Sequence, residues 1–163
     1  MHIKLTFIAS VLLFVPTTGL AQEGLEMFSG NWTGSGEFVR LNGDRVDVQC
    51  NLKTEASSAS LIVNGRCTAL VFISRDLSAN IKAEGGIISG EYSGPEGNGS
   101  VQGERTGKAL NLAIQWEKPV RGDKTASMKI EMIGADQLRL QTFDLDPATN
   151  SMAAVTDLNL QRQ

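Results

Sequence analysis

The chain has 163 residues, with 15 Lys and Arg against 18 Asp and Glu, and charges of both signs are interspersed along it. No basic run is present, which argues against nucleic acid or an anionic lipid surface as a partner. The only histidine is His2 and the only cysteines are Cys50 and Cys67, so chemistry that needs an imidazole has almost nothing to work with.

The first residues predict an export signal. A short basic start, Met1–Lys4, precedes the apolar run Leu5–Val15, which is too short to span a membrane, and Gly19-Leu20-Ala21 places small residues where a signal peptidase cleaves. We therefore predict a signal peptide over 1–21, a single domain over 22–163, and a periplasmic or secreted location. The predicted mature chain contains no apolar stretch long enough to cross a bilayer.

The first predicted strand is rich in glycine. On the face that carries Trp32, the following residues are Gly34, Gly36 and Phe38. In one interpretation the glycines leave space inside a barrel and the aromatic rings line a cavity. In the other, Trp32 plugs one end of the barrel and the glycines permit tight coiling of the strand.

The rest of the chain alternates between apolar and polar residues with a period of two, which is typical of half-buried strands. Turn signals such as Gly85-Gly86 and Asp146-Pro147 separate the alternating segments. The pattern predicts an all-β domain of about eight to ten strands, either an up-and-down antiparallel barrel or a closed β-sandwich. The residues predicted to share the core are Val46, Val48, Leu52, Leu61, Val63, Leu110, Leu112, Ile114, Met128 and Ile130.

The pair Asn64-Gly65 is a strong hairpin signal, but a turn there would place apolar residues opposite polar ones. If the strand instead runs straight through and the turn falls between Ala56 and Ser60, Cys50 lies directly opposite Cys67. Directly opposed residues are within disulfide reach, and an even cysteine count behind a signal peptide indicates a disulfide. We therefore predict a Cys50–Cys67 disulfide with a structural role.

Two features bear on metals and catalysis. The segment Asp144–Asn150 has oxygen ligands at spacings that a calcium loop uses, but it lacks the glycine and the closing glutamate of an EF-hand. A hairpin turn accounts for the same residues, so no metal and no cofactor is expected. Most acidic residues fall on polar strand faces or in turns, where solvent keeps them ordinary, and an enzyme is therefore not expected.

The Gly-x-Trp at the start of the first strand, Gly30-Asn31-Trp32, resembles the calycin pattern of lipocalins and avidins, and also the small bacterial barrels that inhibit secreted proteases. The start Phe28–Gly36, the two cysteines and the glycine-rich Gly90–Gly103 resemble small exported alphaproteobacterial proteins of unassigned function. Both resemblances imply an exported β-barrel, and neither supplies active residues to transfer.

The sequence favours a non-enzymatic envelope protein that binds a small ligand or another protein. A ligand barrel would have an open cavity, and its candidate lining residues are Trp32, Phe38, Leu112 and Trp116. A protease-inhibitor-like module would act through an exposed segment such as Gln22–Ser29. A hydrolase built on a pair of carboxylates is the remaining alternative.

Overall fold

The computed structural model describes residues 24–70, 72–146 and 149–163; the predicted signal peptide over 1–21 lies outside them. A 3₁₀ turn, Leu25–Phe28, leads into ten strands. The strands are β1 (Gly30–Val39), β2 (Arg45–Ala56), β3 (Ser60–Ala69), β4 (Ile73–Glu84), β5 (Ile87–Gly94), β6 (Gly97–Thr106), β7 (Ala109–Val120), β8 (Asp123–Met132), β9 (Gln137–Asp146) and β10 (Ser151–Arg162).

The strands form one closed barrel in which each pairs antiparallel with its neighbours in the chain and β1 pairs with β10. The predicted up-and-down antiparallel barrel is therefore confirmed, and the β-sandwich alternative is not. We call the end formed by the turns after β1, β3, β5, β7 and β9 the open end, and the opposite end, which holds the 3₁₀ turn, the closed end.

The register of β2 and β3 follows the predicted one. Cys50 lies opposite Cys67 with their Cα atoms 4.1 Å apart, and the two sulfurs are bonded. Asn64 and Gly65 lie in the middle of β3, and the chain turns between Ala56 and Ser60. The disulfide and the alternating pattern thus select the same register, because a slip of one residue would turn the apolar face of β3 outward.

The predicted core is buried, with one exception. Val48 is only half-buried, whereas the other predicted core residues are buried. Residues between them on the same strands, such as Asp47 and Lys53, are exposed, as expected for strands that present one face to the interior. Within the described ranges, no helix has the length and hydropathy needed to cross a bilayer.

The glycines of β1 are required by the close approach of β10. A Cβ at Gly34 would lie 2.0 Å from the carbonyl oxygen of Asn159, and a Cβ at Gly36 would lie 1.9 Å from that of Asp157. The space beside these glycines is therefore occupied by the backbone of β10. This supports the interpretation in which the glycines permit tight coiling rather than the one in which they open a cavity.

The closed end is sealed by side chains from the 3₁₀ turn and the first residues of β1. Leu25, Phe28 and Trp32 are each 1% exposed. The indole Nε1–H of Trp32 donates to the carbonyl oxygen of Phe28 at 3.2 Å and to Oγ1 of Thr54 at 3.1 Å. Because the buried indole N–H finds acceptors, Trp32 can fill this end of the core without leaving a polar group unpaired.

The guanidinium of Arg162 completes this seal. It lies 4.2 Å from the centre of the Trp32 ring, donates to the carbonyl oxygens of Met27 and Ser29, and pairs with Asp136 at 3.1 Å. One side chain at the end of β10 thus holds the 3₁₀ turn, the indole and the β8–β9 turn together.

Candidate ligand-binding cavity

The barrel interior is hollow towards the open end. A cavity of about 280 Å³ lies there, and its walls are almost entirely apolar. Side chains from β2, β3, β4, β7, β8 and β9 contribute to these walls, among them Val46, Leu52, Val63, Leu77, Leu112 and Leu140. The volume is near the lower end of the range of about 300–1,000 Å³ that is typical of small-molecule sites.

Small side chains at several inward positions of β3 and β4 leave space for the cavity. Cys67, Ala69 and Ala79 all point inward and remain half-buried. On the other side of the barrel the corresponding depth is filled by Trp116, which is 2% exposed. Small residues on one wall and large residues on the opposite wall leave an off-centre space, and Cys67 makes the disulfide part of its lining.

The predicted lining residues divide into two groups. Phe38 and Leu112 line the cavity. Trp32 does not, because it belongs to the seal of the closed end. Trp116 lies beside the cavity and packs edge-to-face against Tyr92, with ring centres 5.9 Å apart. Tyr92, which sequence reasoning did not single out, presents its ring to the cavity in place of that indole.

Three charged residues line the mouth of the cavity: Arg40, Arg75 and Glu96. Arg75 alternates with Leu77 and Ala79 along β4, so all three point into the barrel. Arg40, directly after β1, follows Phe38 in the same way on the inward face. The two-residue period alone does not predict these arginines, because it identifies an inward face by its apolar residues. Continuing the two-residue alternation from those residues to the ends of the strands predicts that both arginines point inward.

A second group of charged residues lies beneath the rim on the other side of the mouth. Arg121 is 7% exposed and Asp144 is 1% exposed. Arg121 donates to the carbonyl oxygen of Val39 and lies 5.8 Å from the centre of the Phe38 ring. The backbone of Arg121 has a φ of 55°, an uncommon conformation for a non-glycine residue, and its side chain turns inward across the barrel.

Burial dominates the titration of these carboxyls. It raises the pKa of Glu96 to about 6; Arg121 opposes this shift and Asp144 adds to it. Burial also raises the pKa of Asp144, although the backbone N–H of Leu145, which donates to Asp144 Oδ1 at 2.6 Å, lowers it. The pKa of Tyr92 is raised, first by burial and then by the charge of Glu96.

Two buried donors in this group lack a hydrogen-bond partner among the described residues: Nε1 of Trp116 and Nε of Arg121. The indole N–H of Trp116 is close enough to Asp144 to lower the pKa of that carboxyl, but it makes no hydrogen bond of normal geometry. Buried donors without acceptors are uncommon in folded proteins. At the open end, two buried N–H groups thus have no acceptor among the described residues.

The expectation that solvent surrounds the acidic residues does not hold for Glu96 and Asp144. Glu96 lies in a turn but lines the cavity, and Asp144 has the inward parity of Leu138 and Leu140 on β9. The sequence predicts Asp144 as part of a hairpin turn, whereas the structure places it in β9. Among the described residues, no cluster of three or more His, Cys, Asp or Glu side chains could hold a metal ion.

Comparison with known proteins identifies the architecture alone. No family model and no curated protein sequence matches this chain. The crystal structure of Rv2717c from M. tuberculosis is similar in fold, with a TM-score of 0.65, 13% sequence identity, and coverage of 85% of this chain and 94% of that chain. At this level of identity the likeness shows that the two chains share a fold.

Proposed function

We propose that this protein is a non-enzymatic binding protein that holds a small, mainly apolar ligand inside its barrel. The cavity of about 280 Å³ behind the mouth at the open end carries the proposal. Its apolar walls would lose contact with water when an apolar ligand enters, and each Å² so buried contributes roughly 25 cal/mol to binding.

The rest of the barrel suits such a role. The ten strands form a closed sheet, and the seal around Trp32 and Arg162 closes the far end. A closed sheet has no free edge to rearrange. A ligand would therefore enter a largely pre-formed cup from one side, which limits the conformational cost of binding.

The alternatives fit less well. An inhibitor that acts through its first residues needs them exposed, but Leu25 and Phe28 are each 1% exposed. A hydrolase needs two carboxyls that reach one substrate. Glu96 and Asp144 influence each other electrostatically, but Asp144 is 1% exposed and does not line the cavity.

The predicted export agrees with the disulfide. Disulfides persist in oxidising compartments and are rare in the cytosol, and Cys50 and Cys67 are bonded. We include a periplasmic or secreted location in the proposal. The resemblance of Gly30-Asn31-Trp32 to the calycin pattern also implies an exported β-barrel.

The proposal can be tested with a substitution that fills the cavity. Ala79 points into it, whereas Ala113 is exposed on the outer face of β7. We expect Ala79→Phe to abolish binding of the neutral apolar dye Nile red and Ala113→Phe to leave it unchanged, with both variants folded by circular dichroism. Native mass spectrometry of the protein from a periplasmic extract should show a small-molecule adduct that Ala79→Phe lacks. Equal dye binding by wild type and Ala79→Phe would exclude the cavity as the site.

A further inference from the structure

We propose that the ligand is an anionic amphiphile, with an aliphatic chain in the cavity and an acidic group held between Arg40 and Arg75 at the mouth. The inference rests on the proposed function and names the ligand class for the same site. It is carried by the place of these two guanidiniums in the barrel and by the absence of an acidic partner for either of them among the described residues.

Both arginines belong to the lining of the cavity. On β4, Arg75, Leu77 and Ala79 are alternate residues and all three line it. Phe38 and Arg40 contribute in the same way from β1 and the residue that follows it. Because alternate residues of a strand share a face, both guanidiniums lie on inward faces near the open end, where the cavity meets solvent. On that face of β4, Ile73 is the one residue beyond Arg75.

Arg45 and Arg66 on the outer surface have acidic partners, whereas Arg40 and Arg75 have none within the part of the chain that the structure describes. Arg45 pairs with Glu37 at 2.9 Å, and Arg66 pairs with Asp76 at 2.7 Å. The guanidinium of Arg40 makes no hydrogen bond or ion pair with any described residue. Arg75 donates only to the carbonyl oxygen of Ser74, at 3.1 Å, within the same set of residues.

Glu96 lines the same mouth, but neither guanidinium forms an ion pair with it or with another acidic residue of the described ranges, so both remain available to an anion. Arginine presents its N–H groups in a planar fork that matches a carboxylate, sulfate or phosphate group. At the mouth such a group would keep part of its hydration, so its transfer from water would cost less than full burial.

The depth of the cavity fits an extended chain. Its lining on β2 runs from Val46 near the mouth to Leu52 near the seal. That distance is six residue steps, or about 20 Å along the strand. Apart from Glu96 at the mouth, the lining below the arginines is apolar except for the hydroxyl groups of Tyr92, Thr142 and Thr156. A second charged group at the far end of the ligand would therefore not be accommodated.

The experiment compares three probes with one ten-carbon chain: decanoate, decan-1-ol and decylamine. Their dissociation constants are measured by titration calorimetry, below the concentrations at which they aggregate. A hydrogen bond between charged groups contributes enough to change affinity by about tenfold or more. We expect decanoate to bind at least about tenfold more tightly than decan-1-ol, and decylamine to bind most weakly.

Substitutions then test whether the two arginines cause the preference for decanoate over decan-1-ol. Arg40→Gln and Arg75→Gln should each weaken decanoate binding by about tenfold and change decan-1-ol binding by less than about twofold. Arg45→Gln is the matched control, because Arg45 lies near the same rim but is exposed on the outer face of β2. It should leave both affinities unchanged, and a structural effect of any variant would weaken both probes alike.

The outcomes separate the two proposals. Equal affinity for decanoate and decan-1-ol, or tightest binding of decylamine, would overturn the anionic ligand and leave the apolar cavity site intact. If no probe binds and Nile red also fails to bind, the proposed function itself fails. Loss of decanoate binding in Arg45→Gln as well would show that net charge, rather than the pair at the mouth, selects the ligand.

Discussion

The two ends of the barrel are each crossed by an arginine that lies against an aromatic ring of β1. At the closed end Arg162 lies 4.2 Å from the ring centre of Trp32, and at the open end Arg121 lies 5.8 Å from that of Phe38. Each also donates to a backbone carbonyl at its own end of β1, that of Ser29 or of Val39. Both ends therefore contain an arginine that lies against an aromatic ring and donates to a backbone carbonyl.

The ends differ in how completely the polar groups are paired. Arg162 has a second carbonyl acceptor and an acidic partner, Asp136, whereas Nε of Arg121 has no partner among the described residues. The closed end is packed, and the open end retains a cavity whose apolar walls include several half-buried side chains. The polar groups of Arg162 have partners at the closed end, which stabilises the fold. The polar groups of Arg121 are only partly satisfied at the open end, where we place the ligand.

The largest effect should come from emptying the closed end. Trp32→Ala removes a fully packed ring and leaves a void, so we expect a loss of about 3–5 kcal/mol in the free energy of unfolding. Phe38→Ala at the open end removes a half-buried ring and should cost about half as much or less. Urea unfolding of both variants provides the comparison. Equal losses would mean that the two ends are packed alike.

The disulfide should have the next largest effect, although it lies in the hollow part of the barrel. Cys50 and Cys67 are 17 residues apart in the chain, and closing a loop of this size stabilises the fold by about 3 kcal/mol. We expect urea unfolding of the double variant Cys50→Ala/Cys67→Ala to show a loss of this order. Two free thiols in protein purified from an oxidising compartment would contradict the bond.

A smaller loss should follow when the arginine of the closed end is replaced. Arg162→Gln removes bonds to two carbonyl groups and the pair with Asp136, and we expect a loss of about 1–3 kcal/mol in thermal or urea unfolding. Arg139→Gln is the control, because its pair with Asp157 lies on the outer face and should contribute about 0–1 kcal/mol. Similar losses for the two variants would remove the distinction between a sealing arginine and a surface one.

The smallest effect concerns the pH dependence contributed by Glu96 at the open end. Burial raises its pKa to about 6 from the ordinary value of 4.5, so between these values the folded state binds more protons than the unfolded state. Glu96 therefore destabilises the fold as pH rises through this window. Glu96→Gln should stabilise the protein at pH 7 by on the order of 1 kcal/mol and flatten the stability profile between about pH 4.5 and pH 6.

The same carboxyl should also oppose an anionic ligand. Decyl sulfate stays ionised in this pH range, so a change in its affinity reports the titration of protein groups and not of the ligand. Those groups are Glu96 and the residues that face it, namely Arg121, Asp144 and Tyr92. Its affinity should rise as pH falls from 7 to 5, and Glu96→Gln should remove most of that rise. Glu91→Gln, which changes an exposed carboxylate of β5, should leave both profiles as in the wild type.

Much of the fold could be predicted because it depends on local alternation and on one covalent constraint. Apolar residues at every second position identify a buried face without knowledge of its neighbours. The cysteine pair then selected the register of β2 and β3 over the hairpin signal at Asn64-Gly65, and the observed pairing of Cys50 with Cys67 agrees with it.

The site could be predicted only in part. The two-residue period indicates which side chains point inward, but it does not indicate which residues they contact there. Trp32 and Phe38 share one face of β1, yet Trp32 is sealed against Phe28 and Thr54 while Phe38 lines the cavity. Asp144 follows Leu138 and Leu140 on the inward face of β9 and becomes buried, but this alternation does not tell whether an acid near the end of a strand remains in solvent.

The sequence by itself determined an all-β chain, its strands, their inward faces and the disulfide, since these follow from a two-residue period and from the reach of two side chains. Only the tertiary structure decided that the barrel closes with ten strands, that one end is sealed and the other hollow, and which charges surround the mouth. The size of a barrel interior depends on the number and stagger of all its strands together, and whether side chains fill it depends on the sum of their volumes across opposite walls.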